Sequence, residues 1–208
     1  MTAEPGTDPM SLLEWRRTIG DLYAEIRATP DRQLGWQQWR QTRDRLFRGH
    51  PQSPIPACDR AGYRGPHLYS YDPAWRLAAA VEPAAPASVE IATSTTDIMT
   101  LLRFGQVCFT FAGTAMSLEL YWLTGYGGGL FLPFADATSG TETYGAGRYL
   151  LDTVKGADLG QEEGLLVLDF NFAYFPSCAY DPRWTCPLAL AANRLSVPVR
   201  AGERLSQQ

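Results

Sequence analysis

The chain has 208 residues, a length that suits one large domain or two small ones and is sufficient to bury a core. Hydrophobic residues make up 45% and charged residues 19%, which argues against a disordered chain and against a coiled coil, and no apolar run reaches the roughly 20 residues of a membrane helix. The formal net charge of -4 argues against binding to nucleic acid or to an anionic membrane.

The first 50 residues carry two helical patterns. One runs from Ser11 to Arg27, where Ser11 can cap the helix with Glu14 three residues on, and its apolar residues recur at helical spacing. The second runs from about Asp31 to Arg48 and has arginines on the face opposite its apolar residues. Prolines at 51, 54 and 56 predict a boundary near residue 50. We expect the helices of residues 1–50 to pack on a β-barrel domain formed by residues 51–208, or over its mouth. The two parts should fold together as one cooperative unit.

Residues from about Leu68 to Phe172 have a strand-like texture. Runs of β-branched and aromatic residues, separated by turn residues, predict strands at 75–82, 88–95, 98–104, 106–112, 115–124, 129–133, 147–154 and 165–172. The short connections favour antiparallel pairing, because a parallel crossover needs a dozen or more residues. A sheet of this kind with one buried face hides its edges best as an antiparallel β-barrel or barrel-like sandwich. The predicted fold is mainly β, with about eight strands and an N-terminal helical pair.

Period-two alternation assigns two faces to the predicted strand 115–124. One face is apolar and comprises Met116, Leu118, Leu120 and Trp122. The other is mixed and includes Glu119 and Tyr121, so it should meet water or a polar cavity. Solvent exposure is the ordinary interpretation of Glu119, since ionised carboxylates are seldom buried without a partner.

The four cysteines have no CxxC spacing, and with only two histidines in the chain we predict no metal site. The first ten residues lack a basic and then apolar leader, so a cytoplasmic location is expected. A disulfide between Cys178 and Cys186 would close a short loop, but a reducing cytosol favours thiols. A thiolate nucleophile at either position lacks a histidine nearby in sequence to activate it.

Polar residues concentrate in 136–152 and 169–187. A pair between Arg148 and either Asp169 or Glu142 would brace a barrel without any ligand. Alternatively, the same groups point into an aromatic pocket and act on a ligand. The predicted catalytic residues are Glu142, Asp169, Arg148 and Tyr144, and the predicted ligand-binding residues are Glu119, Trp122, Tyr121, Phe109, Phe111, Asn171 and Tyr174.

No nucleotide loop and no GxSxG elbow are visible, so chemistry would rest on a carboxylate or tyrosine acting as acid or base, or on an enforced substrate conformation. Cyclisation, isomerisation and hydration or elimination belong to that class. We expect a small-molecule-binding protein, either a cofactor-independent enzyme or a non-catalytic ligand-binding or structural module. The expected ligand is small and apolar or aromatic, no cofactor is predicted, and a homodimer is left open.

Three segments together resemble a known family. They are ETYGAGRYLLD at 142–152, DFNFAYFPSCAYDPRWTCPL at 169–188, and Asn193-Arg-Leu195. Their pattern is similar to that of domain of unknown function 1684, and the likeness extends to the helix positions Trp39, Arg43 and Phe47. Phe175 and Ala146 depart from the pattern, which would have a polar residue and a glycine there. The activity of that family is unassigned, so the resemblance implies no reaction.

Overall fold

A computed structural model describes residues 8–206. It confirms the two N-terminal helices, α1 (Pro9–Ala28) and α2 (Arg32–Gly49). Helix α1 is capped by Asp8 and not by Ser11, because the Asp8 carboxylate accepts the backbone N–H groups of Met10 (3.0 Å) and Ser11 (3.1 Å). Pro9 follows at the first helical position, where its missing N–H costs nothing. The helix therefore begins earlier than predicted.

Eight strands follow the helices, and all of their pairings are antiparallel, which confirms the mainly β prediction. They are β1 (Arg76–Ala79), β2 (Val81–Ala92), β3 (Ile98–Phe111), β4 (Thr114–Leu123), β5 (Gly129–Phe134), β6 (Arg148–Asp152), β7 (Gln161–Glu162) and β8 (Leu165–Asp169).

Of the two predicted arrangements, a barrel or a barrel-like sandwich, the closed barrel is wrong: residues 8–206 form none. The strands form two sheets, one of five strands in the order β2-β3-β4-β5-β6 and one of three in the order β1-β8-β7. Strand β1 pairs with β8, from Arg76 opposite Asp169 to Ala79 opposite Leu166. Strands β2 and β6 are the two edges of the larger sheet and do not pair with each other. Strands β1 and β8 belong to the smaller sheet and do not bridge these edges, so the larger sheet stays open.

Two predicted strands, 98–104 and 106–112, are one continuous strand, β3. A bulge between Arg103 and Gly105 shifts the register of β3 against β4. Opposite this point, the pairing of β3 with β2 is irregular between Pro83 and Ala87 of β2. A Cβ on Gly105 would lie 2.9 Å from the carbonyl oxygen of Glu82, so glycine is needed where β2 approaches. The bulge bends the strand without ending it, which the alternation of residue types does not reveal.

Buried residues form two clusters. The larger one joins both helices to both sheets and includes Trp39, Leu118 and Phe170. The smaller one comprises Ile91, Leu101, Tyr121, Phe131 and Tyr149. Adjacent strand residues such as Leu120 and Tyr121 belong to different clusters, so the clusters lie on opposite faces of the five-stranded sheet. The face assignment of β4 is thereby corrected: Tyr121 is fully buried, and Trp122 is 42% exposed.

Candidate functional site

A buried ion pair joins helix α2 to the C-terminal segment. Arg43 Nη2 lies 3.2 Å from Glu203 Oε2, and the two side chains are 8% and 1% exposed. Trp39, Arg43 and Phe47 are spaced four residues apart, so they lie along one face of α2. All three residues are buried, so the charged side chain of Arg43 lies in the interior of the protein.

Aromatic rings surround the Arg43 guanidinium. Its central carbon lies 4.9 Å from the ring centroid of Trp39, 4.6 Å from that of Phe47 and 4.9 Å from that of Tyr174, which are cation–π distances. Burial disfavours the charge, but the Glu203 carboxylate and the nearby phenols outweigh it, so the pKa of Arg43 is raised. Arg43 therefore remains a cation inside the protein.

The Glu203 carboxylate has three donors. Besides Arg43, the backbone N–H of Phe175 donates to Oε2 at 2.6 Å, and the phenol of Tyr180 donates to Oε1. Burial, and then the Glu203 charge, raise the pKa of Tyr180 well above its usual value. The phenol stays protonated and keeps donating to the buried carboxylate.

Arg148 fixes the backbone of the same C-terminal segment. Its guanidinium donates to the carbonyl oxygens of Val199 (2.8 Å), Ala201 and Glu203 (3.1 Å). Its ion-pair partner is Asp136 at 2.8 Å, with both side chains fully buried. The predicted pairing of Arg148 with Asp169 or Glu142 is therefore wrong.

The reason for that partner is the register of two strands. Phe134 at the end of β5 lies opposite Arg148 at the start of β6, and Asp136 follows two residues later. A local contact between neighbouring strands thus supplies the carboxylate. Arg148 is fully buried, and three of its contacts are with carbonyl oxygens of the C-terminal segment.

A cavity of about 480 Å³ lies beside Glu203. The segment from Ile55 to His67 forms one wall, and residues 203–206 with the aromatic rings of Phe175 and Tyr180 form the other. Two lining residues carry a buried donor with no hydrogen-bond partner within the part of the chain that the structure describes. These donors are the phenol of Tyr63 and Nε of Arg204.

The phenol of Tyr63 can donate a hydrogen bond into this cavity at ordinary pH. Burial, reinforced by Glu203, raises the pKa of Tyr63 far above its usual value, so its phenol keeps its proton. Arg64 adds an exposed guanidinium to the lining, beside the partly buried Arg204, and Asp59 is an exposed carboxylate. The charge of Glu203 is already compensated by Arg43. The cavity therefore presents unused donors and two cationic side chains against one free carboxylate.

Two smaller cavities flank other buried charges. One of about 70 Å³ lies beside Arg43, and one of about 80 Å³ lies beside Asp169 with Arg32, Arg76 and Glu162. Each has room for a few water molecules only. Burial raises the pKa of Asp169 to about 6, although Asn171 donates its backbone N–H (3.0 Å) and its amide (2.8 Å) to the carboxylate.

The four predicted catalytic residues do not share a cavity. Glu142 is half-exposed, pairs with Arg200 at 2.7 Å and accepts the phenol of Tyr69 at 2.9 Å. The hydrogen bond from Arg200 lowers the pKa of Glu142. The Tyr144 hydroxyl lies 3.8 Å from the Cys178 sulfur. Arg148 and Asp169 are buried at other places, as described above.

The predicted ligand-binding residues are similarly dispersed. Glu119 pairs with Arg103 (3.1 Å) and accepts the phenol of Tyr121 (2.6 Å), so it is neither free nor fully exposed. Phe109 packs 5.9 Å from Phe170, and Phe111 stacks at 3.6 Å on Trp75. Those rings fill the core.

Trp122, Asn171 and Tyr174 also lie apart from one another. Trp122 is on the surface, and Asn171 bridges Asp169 to the backbone of Asp72. Only Tyr174, through its ring against Arg43, reaches the Arg43–Glu203 pair.

Five residues of the site escaped prediction: Arg43, Tyr63, Tyr180, Glu203 and Arg204. The sequence offered one signal, the arginine at helical spacing between Trp39 and Phe47, which places a charge on an apolar face. Glu203 gives no comparable signal, because its partner lies 160 residues away in the chain.

No group of three or more His, Cys, Asp or Glu side chains among residues 8–206 is arranged to hold a metal ion. Within the same range, no helix has the length and apolar character needed to cross a membrane.

Comparisons with known proteins agree with the motif analysis. No curated protein is significantly similar to the chain. Among solved structures, the solution NMR structure of an uncharacterised protein from Haloarcula marismortui is 34% identical, with a TM-score of 0.61, covering 86% of this chain and 97% of that one. Residues 61–204 match the family described as protein of unknown function (DUF1684). The resemblance seen in the sequence is confirmed, and the chain belongs to the DUF1684 family.

Proposed function

We propose that this protein binds a small organic anion with an aromatic or apolar body in the cavity beside Glu203. The observation that carries the proposal is the pair of unpartnered buried donors, Tyr63 Oη and Arg204 Nε, on residues lining the same cavity of about 480 Å³. A buried donor without an acceptor costs about 1–3 kcal/mol. Both groups are hydrogen-bond donors, so they favour a ligand with acceptor oxygens, such as a carboxylate.

The size and lining of the cavity support this ligand class. Small-molecule sites typically enclose about 300–1,000 Å³ and combine apolar walls with a few polar groups. Here the rings of Tyr63, Phe175 and Tyr180 provide the apolar walls. Arg64 and Arg204 supply positive charge, and Arg43 offsets the one buried carboxylate. An aromatic monocarboxylate fits these features better than a neutral or cationic compound of the same shape.

A cofactor-independent enzyme is the second proposal, and Asp169 favours it. With its pKa raised to about 6, this carboxyl group could exchange protons near neutral pH. The adjoining cavity of about 80 Å³ has room for water but not for an organic substrate. Binding without turnover is therefore the function that the geometry supports best. We retain a cytoplasmic location as part of the proposal, since Cys58, Cys108, Cys178 and Cys186 are all thiols.

Calorimetric titration with 3-phenylpropionate tests the binding proposal. The comparison compounds are 3-phenylpropanamide, 3-phenylpropylammonium and propionate, which remove the charge, reverse it or remove the ring. Among the three compounds with a ring, we expect the carboxylate to bind most tightly, the amide less and the ammonium least. Propionate should not bind measurably, because it makes no contact with the aromatic walls. Equal binding of the carboxylate and the ammonium would overturn the proposal. Conversion of a bound probe by the wild type but not by Asp169→Asn would instead support the enzyme.

Two variants locate the site. Tyr63→Phe and Arg204→Gln each remove one of the unpartnered donors, and each should weaken 3-phenylpropionate binding by about tenfold. Arg194→Gln is the matched control, because Arg194 is exposed and does not line the cavity. Binding that is unchanged in both cavity variants, or weakened equally in the control, would place the ligand elsewhere.

A further inference from the structure

Two thiols are brought together at the end of the 3-10 helix Ser177–Ala179. The backbone N–H of Cys178 donates to the sulfur of Cys186 at 3.3 Å. Both side chains are buried, and neither forms a disulfide. Seven residues separate the two cysteines in sequence, so the intervening loop turns back on itself to place one sulfur against the start of the other residue.

Separate parts of the chain hold this cysteine pair in place. Ser94 Oγ accepts the backbone N–H of Cys186 at 3.0 Å, and the Ser94 N–H donates to the Cys186 carbonyl at 2.8 Å. The Tyr144 hydroxyl lies 3.8 Å from the Cys178 sulfur. These contacts come from the β2–β3 connection and the β5–β6 connection, so the pair is a tertiary feature and not a product of the loop alone.

The environment distinguishes the two sulfurs. The hydrogen bond from Cys186, against the effect of burial, lowers the pKa of Cys178 to about 6, and the Tyr144 hydroxyl acts in the same direction. The same interaction and burial raise the pKa of Cys186. Cys178 is therefore the more acidic of the two thiols, and the thiolate is the nucleophilic form of cysteine.

We propose that Cys178 and Cys186 form a redox-active dithiol that exchanges with low-molecular-weight disulfides. The Cys178 thiolate attacks one sulfur of the small disulfide, which breaks the S–S bond and releases one thiolate. The Cys186 sulfur, giving up its proton, then attacks Cys178 in the mixed disulfide and releases the second small thiol. The protein loses two electrons and the Cys186 proton as it forms its disulfide, and the small disulfide, with one further proton from solvent, is reduced to two thiols.

Such a pair differs from a structural disulfide and from isolated thiols. Intracellular disulfides are usually transient, and they serve in catalysis or redox sensing. Cys58 and Cys108 are exposed, so they are suitable for replacement without disturbing the core. The proposal is independent of ligand binding in the cavity beside Glu203.

The test uses the full chain with Cys58→Ser and Cys108→Ser. The protein is equilibrated with glutathione buffers of increasing oxidised fraction, both native and in guanidinium chloride, then quenched with acid, alkylated and weighed by mass spectrometry. We expect a species two hydrogens lighter than the dithiol, formed at a lower oxidised fraction in the native protein because the fold holds the sulfurs together. A native protein that stays reduced, or that carries only mixed glutathione disulfides, would overturn the proposal.

Single replacements identify the attacking sulfur. In the same background, Cys186→Ser should form a mixed disulfide at Cys178 that persists, because no second thiol resolves it. Cys178→Ser should react with oxidised glutathione at least about tenfold more slowly, since burial still raises the pKa of Cys186. Equal rates for the two variants would contradict the assigned order of attack. The native-against-denatured comparison decides the proposal even if a serine variant fails to fold.

Discussion

Arg148 donates a hydrogen bond of 3.1 Å to the backbone carbonyl of Glu203, whereas the carboxylate of Glu203 pairs with Arg43. One residue of the C-terminal segment is thus held at its backbone by strand β6 and at its side chain by helix α2. Arg204, with its unpartnered Nε, follows directly. The shape of the cavity therefore depends on two buried arginines that come from different parts of the fold.

Arg148→Met should cost about 3–5 kcal/mol of unfolding free energy, because Asp136 is left as a buried charge without its partner. The carbonyls of Val199, Ala201 and Glu203 also lose a donor. Arg148→Lys should fall between the wild type and Arg148→Met, since one ammonium cannot reproduce the planar fork of a guanidinium. Urea denaturation followed by circular dichroism measures these differences.

The control for Arg148→Met is Arg194→Met, which removes an exposed arginine and should change stability by less than about 0.5 kcal/mol. Similar losses in both variants would mean that Arg148 does not brace the C-terminal segment.

Glu203→Gln should destabilise the protein by about 3–5 kcal/mol. The carboxylate accepts from Arg43, Tyr180 and the Phe175 N–H, and a glutamine would present an amide donor to one of these donors. Arg43→Met should lower the unfolding free energy by a similar amount, because it removes the cation that pairs with the Glu203 carboxylate. The double variant should lose less than the sum of the single losses, with a coupling of about 0.5–3 kcal/mol. Strictly additive losses in urea denaturation would show that the pair is not energetically coupled.

The helices and the antiparallel strands could be predicted because their signals are local. Asp31 and Pro51 mark the ends of α2, and strand residues alternate over a few positions. Barrel closure could not be predicted in the same way. It depends on which distant strands pair, and the pairing of Arg76 with Asp169 leaves no trace in either segment alone.

The candidate site was missed for a related reason. The sequence pattern places the arginines of α2 opposite its apolar residues, although Arg43 shares its spacing with Trp39 and Phe47. Only its tertiary environment, the rings and the carboxylate of Glu203, makes burial of that charge tolerable. For Arg148 the sequence leaves open an internal ion pair or a ligand-facing role, and its actual partner follows from the β5–β6 register, which the sequence does not specify.

The pH dependence of stability should reveal Asp169. Its pKa is about 6 in the folded protein against an ordinary value of 3.8, so between these pH values the folded state binds more protons than the unfolded state. Stability contributed by this group is therefore highest below pH 4, falls as pH rises through that window and is constant above it. The total fall should be about 2–3 kcal/mol.

Asp169→Asn removes this titration and keeps an oxygen that accepts both Asn171 hydrogen bonds. Subtracting its unfolding free energy from that of the wild type at several pH values between 3.5 and about 7 isolates the group. The control is Asp21→Asn, which changes an exposed carboxylate on α1. A flat difference for Asp169→Asn would show that its carboxyl group is not perturbed.

Gly202→Ala should destabilise the protein more than Gly113→Ala does. Both glycines have positive φ, +74° and +80°, where an L side chain costs about 1–2 kcal/mol. A Cβ on Gly113 would meet no atom within 4 Å, so that variant measures the conformational cost alone. A Cβ on Gly202 would lie 2.5 Å from the Ala173 carbonyl and 2.7 Å from that of Phe170.

The Ala173 carbonyl also accepts the backbone N–H of Glu203 at 2.8 Å, so displacing it would disturb the segment that carries the buried carboxylate. We therefore expect Gly202→Ala to lose about 1–3 kcal/mol more than Gly113→Ala, the usual cost of overpacking. It should also weaken 3-phenylpropionate binding, whereas Gly113→Ala should leave binding intact. Denaturation midpoints and calorimetric titration of both variants provide the comparison. Equal losses of stability would show that the backbone at residue 202 can move away without strain, and that the C-terminal segment is less firmly held than its contacts with Arg148 and Ala173 indicate.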